Sequence, residues 1–123
     1  MAYNDLRDWI KRLEKAGELK RIAIEVDPDL EMAEIADRAA KLGRGTEKAG
    51  GPALLFENVK GHPGARVLMN QFGSERRMKL ALETDSLDNI AGRIRELLHP
   101  VPPTGLMDKL KMLPKLAEVG SFF

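Results

Sequence analysis

Arg21-Ile22-Ala23-Ile24-Glu25-Val26-Asp27-Pro28-Asp29 is the stretch on which the fold turns. Ile22, Ile24 and Val26 alternate with Arg21 and Glu25, and β-branched residues at period two make a half-buried strand. Asp27-Pro28-Asp29 ends that strand and can open a helix, with Asp29 near the positive end of the helix dipole. Met32, Ile35, Ala36 and Ala39 then share one helical face, and Gly43 supplies a stop.

Upstream, Asn4 can cap a first helix, with Leu6, Trp9, Ile10 and Leu13 on its inner face and Gly17 as its left-handed terminator. Downstream, residues 43–52 hold four glycines, a threonine and a proline, which predicts a mobile loop. Ala53-Leu54-Leu55-Phe56-Glu57 and Arg66-Val67-Leu68-Met69-Asn70 are short apolar strands that can pair across a glycine- and proline-containing turn. Ser74 can cap a helix carrying Met78, Ala81 and Leu82 inward. Ser86 can cap another with Leu87, Ile90, Ile94, Leu97 and Leu98 on its inner face. Pro100, Pro102 and Pro103 break the chain into an extended connector, and Leu106, Met107, Leu110 and Leu113 form a last helical face interrupted at Pro114. The expectation is an α/β (α+β) domain over residues 1–99, its small sheet covered by helices on at least one face. Residues 100–123 follow as a connector and helical segment leading to a further domain.

Composition narrows the function. The chain has 123 residues, 43% apolar and 32% charged, ordinary globular usage for one domain. Twenty basic and 19 acidic side chains give a net charge of +1 with the signs interleaved, so no basic face is expected for nucleic acid. There is no cysteine, which excludes disulfides and thiolate chemistry. No apolar run approaches the ~20 residues of a membrane span. Asp5, Arg7 and Asp8 interrupt any signal-like N-terminus, so a cytoplasmic location is expected.

The search for chemistry is mostly negative. His62 and His99 lie 37 positions apart without metal-ligand spacing, which favours surface or capping roles. Gly43-Arg44-Gly45-Thr46-Glu47-Lys48-Ala49-Gly50-Gly51 lacks phosphate-loop spacing and follows a helix rather than a strand, so a flexible connector is the better reading. Asp27, Asp29, Glu31 and Glu34 cluster at a helix start, where capping is expected over acid–base work. Arg76 and Arg77 could clamp an anion or contact another domain, with a structural pairing favoured. Ser74, Ser86 and Ser121 sit in no nucleophile motif. Trp9, Phe56 and Phe72 are too sparse for a stacking platform, and Trp9 is at core spacing.

Several segments in order resemble the N-terminal region of the UbiD family of prenylated-FMN-dependent decarboxylases. They are Tyr3-Asn4-Asp5-Leu6-Arg7-Asp8-Trp9-Ile10; Gly17-Glu18-Leu19-Lys20-Arg21-Ile22; Val26-Asp27-Pro28 with Glu34-Ile35-Ala36-Asp37-Arg38; Gly50-Gly51-Pro52 through Gly61; and Val67 through Ser74 with Arg77. The resemblance implies a domain of a carboxy-lyase that removes CO2 from aromatic or unsaturated carboxylic acids, one branch serving ubiquinone synthesis. It also implies prenylated FMN, Mn2+ and K+ in the parent enzyme, a flavin-binding domain as partner, and a homo-oligomeric assembly. The family's metal ligands and its catalytic Glu-Arg-Glu set match no position here. No catalytic, cofactor-binding or metal residue is therefore assigned to this chain. The alternative is a stand-alone protein-interaction module of the same fold.

Overall fold

A computed structural model describes residues 3–46, 48–99 and 105–120. The elements in chain order are α1 (Leu6–Lys15), β1 (Leu19–Ile22), α2 (Glu31–Ala40), β2 (Ala53–Phe56), β3 (Val67–Met69), α3 (Glu75–Ala81), α4 (Leu87–Leu98) and α5 (Leu106–Gly120). They fall into two compact units, Met1–Leu87 and Asp88–Phe123. The fold is α+β: a small mixed sheet accompanied by helices.

In the first unit the strand order is β1-β2-β3. β1 runs parallel to β2, with Leu19 opposite Ala53 and Ile22 opposite Phe56. β3 runs antiparallel to β2, with Leu54 opposite Met69. β2 is buried at every residue, which explains its unbroken apolar run: helices cover both faces of the sheet. Leu54 and Phe56 pack with Val26, Val59 and the Met32, Ala36 and Ala39 face of α2. Ala53 packs on the opposite side with Trp9 and Leu13 of α1, supported by Tyr3, Leu19, Leu68, Leu80 and Ala81. Enclosing a side chain such as Phe56 contributes about 1.5–3 kcal/mol.

Three local expectations shift. The N-cap of α1 is Asp5, whose carboxylate accepts from the Arg7 and Asp8 amides at 2.8 and 3.0 Å, while Asn4 donates to Asp8. The strand expected to continue through Val26 leaves the ladder after Ile22. Ile24 is consequently 72% exposed, and Val26 returns only as a single bridge to Val59. The inner face of α3 is one position away from the expected one. Arg77 is buried and Leu80 and Ala81 pack inward, leaving Met78 and Leu82 at the surface. Residues 43–46 and 48–51 form hydrogen-bonded turns, and Gly17 ends α1 with φ +71° as expected.

The second unit contains most of α4 and all of α5. α4 carries its apolar residues on one face, yet it buries none of them. α5 continues through Pro114 instead of stopping there, so the interruption expected from the missing N–H costs a hydrogen bond without ending the helix. The connector expected at Pro100, Pro102 and Pro103 lies outside the described residues, as does Ser121.

Candidate functional site

Parallel β1 and β2 begin at one edge of the sheet, and antiparallel β3 ends there. This topology gathers Glu18 just before β1, residues 50–52 just before β2, and Asn70 just after β3. The chain then turns through Gly73 and Ser74 into α3, where the Ser74 hydroxyl accepts from the Arg77 amide. The result is a charged knot closing the end of the sheet.

Arg77 is its centre and has no solvent exposure. Its Nη1 donates to Glu18 Oε2 at 2.9 Å and to the Gly51 carbonyl at 2.5 Å, and Nη2 donates to the Gly50 carbonyl at 3.2 Å. Asn70, in the left-handed region at φ +54°, donates from Nδ2 to the Gly50 and Pro52 carbonyls, both at 2.8 Å. A buried guanidinium is tolerated only where its charge is paired and its donors are used. Here Nε alone lacks a partner. The close packing leaves no room for a Cβ at several glycines, Gly50 and Gly73 among them. A Cβ on Gly50 would lie 1.8 Å from the Gly73 carbonyl oxygen, and a Cβ on Gly73 would lie 1.9 Å from Asn70 Oδ1.

Glu18 also faces outward. Its Oε1 lies 3.2 Å from Arg76 Nη1, and Arg76 donates to the Ala16 carbonyl at 3.2 Å. Glu18, Arg76, Gly17, Leu42, Thr46 and Pro52 border an open groove of ≈ 600 Å³. Of the two arginines considered as an anion clamp, Arg77 is therefore sealed inside the fold and Arg76 lies on a rim, already shared with Glu18.

The other candidates are equally committed. In the 43–51 loop, the amides of Thr46, Lys48, Ala49, Gly50 and Gly51 donate to Gly43 O, Thr46 Oγ1, Thr46 O, Leu42 O and Lys48 O. Those amides are turned into the loop and cannot cradle a phosphate. In the acidic cluster, Asp27 accepts from Lys60 Nζ at 2.7 Å and from the Asp29 amide, and these bonds hold its carboxyl below the ordinary range. Glu31 accepts from the Asp27 amide, and Glu34 pairs with Arg38. This is a helix-start network rather than an acid–base pair. His62 is exposed in its turn and His99 is exposed at the end of α4. Among the described residues no group of three or more His, Asp or Glu is placed to hold a metal ion. No described helix is long and apolar enough to cross a membrane.

Sequence reasoning missed Glu18, Asn70 and Gly73 as members of one site. Their usable signal was the spacing Asn70-x-x-Gly73-Ser74-x-x-Arg77, in which a left-handed turn and a helix cap precede an arginine that points inward.

The comparisons give the family. Residues 10–97 match the model of the 3-octaprenyl-4-hydroxybenzoate carboxy-lyase N-terminal domain, and the chain belongs to that UbiD family. It is 51% identical to an uncharacterised protein of Archaeoglobus fulgidus over 99% of this chain and 24% of the relative. It also resembles the vanillic acid decarboxylase of Sedimentibacter hydroxybenzoicus. For the open form the TM-score is 0.64 at 30% identity, and for the closed form 0.63 at 33%. Each match covers 84% of this chain and 21% of the decarboxylase chain. The chain thus spans about a quarter of the length of the relatives it matches.

Proposed function

We propose that this chain is the N-terminal supporting domain of a UbiD-like decarboxylase and is catalytically silent by itself. The observation that carries this reading is the family match over residues 10–97 in a chain spanning a quarter of its relatives' length. The chemistry of the knot supports it. Arg77 and the amides of Thr46 and of residues 48–51, groups suited to a flavin phosphate, are already bonded to the domain's own oxygens. The residues present do not fit prenylated FMN, and no step of the decarboxylation runs through them. The cofactor, with Mn2+ and K+, belongs to the remaining part of the enzyme. There an aromatic or unsaturated carboxylic acid, polyprenyl-hydroxybenzoate being one candidate, loses CO2. The enzyme is cytoplasmic and homo-oligomeric in this reading.

The domain's own work is mechanical. The Glu18–Arg77 knot locks the starts of β1 and β2 to the turn into α3, giving a stiff block.

The test is flavin binding. Residues 1–123 alone, mixed with prenylated FMN and Mn2+, should show no flavin uptake by absorbance and release no CO2 from aromatic acids. Replacing the aligned quarter of the Archaeoglobus relative with these residues should leave that protein able to bind flavin. Stoichiometric flavin binding by the 123-residue chain would overturn the proposal.

A further inference from the structure

We infer that the apolar face of α4 is the seam on which the rest of the longer polypeptide docks. This inference rests on the supporting-domain reading and adds to it the surface used. Ile90, Ile94, Leu97 and Leu98 recur at i, i+4, i+7 and i+8, the stripe of a helix built to lie against something. The opposite face carries Asp88, Arg95 and Glu96, and Arg93 borders the stripe. Yet Ile94, Leu97 and Leu98 are 52%, 64% and 70% exposed. Among the residues of the second unit whose burial is described, none is buried. A helix of 12 residues is marginal in water without packing, so this stripe needs a cover to persist.

The relative's length points to the occupant. The Archaeoglobus protein has about three quarters of its polypeptide outside the aligned region. A second copy is the poorer cover. One 12-residue helix is about 18 Å long, and its stripe falls short of the roughly 800 Å² per partner that a free dimer needs. A covalently joined partner escapes this limit, because tethering raises its effective concentration to the millimolar range.

The test is hydrogen exchange on two proteins. One is the 123-residue chain, and the other is the Archaeoglobus relative with residues 1–123 in place of its aligned quarter. In the longer protein the α4 amides should exchange at least about tenfold more slowly than in the short chain. Ile94→Asp with Leu97→Asp should return them to the fast rate while the β2 amides, Ala53–Phe56, stay slow. If the pair of substitutions also releases β2, Leu97→Asn alone serves. If α4 exchanges equally in both proteins while amides of Met1–Leu87 gain protection, docking uses the first unit; the inference then fails and the domain reading stands. Concentration-dependent protection of α4 in the short chain would show a second copy as the cover and would also overturn the inference. If no amide in residues 1–123 gains protection in the longer protein, the domain reading fails with it.

Discussion

Phe56 and Leu97 are both large apolar residues on regular elements, yet Phe56 is wholly enclosed and Leu97 is 64% exposed. The difference is one of neighbours, not of side chain. Phe56 lies on a strand with partners on both edges and helices on both faces, so its burial is complete within residues 1–87. Leu97 lies on α4, which buries none of its residues. One unit closes its core with its own residues and even seals in a charge. The other presents a face. A single domain family can thus carry a finished part and an unfinished part in one short chain.

Substitutions in the finished part should cost most. Arg77→Met leaves Glu18 without its inner partner and the Gly51 carbonyl without its donor, while the Gly50 carbonyl keeps only the bond from Asn70, and should destabilise the chain by about 3–5 kcal/mol in urea unfolding. Leu13→Ala, at a site with no exposure, should cost about 2–5 kcal/mol by the same measurement. Asn70→Gly keeps the left-handed backbone but removes two bonds to partly buried carbonyls, and should cost about 1–3 kcal/mol. In the unfinished part, Leu97→Asn should change the stability of the 123-residue chain by less than about 0.5 kcal/mol. A large loss at Leu97 in the short chain would erase the contrast between the two units.

The smallest effect is that of pH. Glu14 is held below the ordinary carboxylate range by the hydrogen bond from Arg21, and Asp27 by the one from Lys60. Carboxyls depressed in the folded state stabilise it fully above their unfolded values. That contribution disappears as pH falls below about 4. Both pairs are solvent-exposed, so the acid limb of stability should be shallow, and Lys60→Met should make it shallower still, as read from urea midpoints between pH 3 and pH 7.

Much of the fold was legible. Period-two and period-3.6 patterns located three strands and the helices that accompany them, and Gly17 and Ser74 marked helix ends where the structure has them. The errors have physical causes. Ile24 continues the alternation in sequence, but the ladder has already ended, and pattern alone cannot tell where a strand runs out of partner. Met78 and Leu82 look like an inner face until Arg77 takes that place. A buried cation is the least expected occupant of a core, and it is made possible by its distant partner Glu18, 59 positions away, together with the Gly50 and Gly51 carbonyls. The knot was therefore invisible as a unit, although each of its segments was read for its family resemblance.

The most direct test is a double-mutant cycle on Glu18 and Arg77 in the 123-residue chain, using Glu18→Gln, Arg77→Met and both together. If the pair is the internal lock described above, each single change weakens the fold, and the double change costs less than the sum of the two by about 1–3 kcal/mol. Costs that simply add, within about 0.5 kcal/mol, would show the two residues acting independently and would contradict the account.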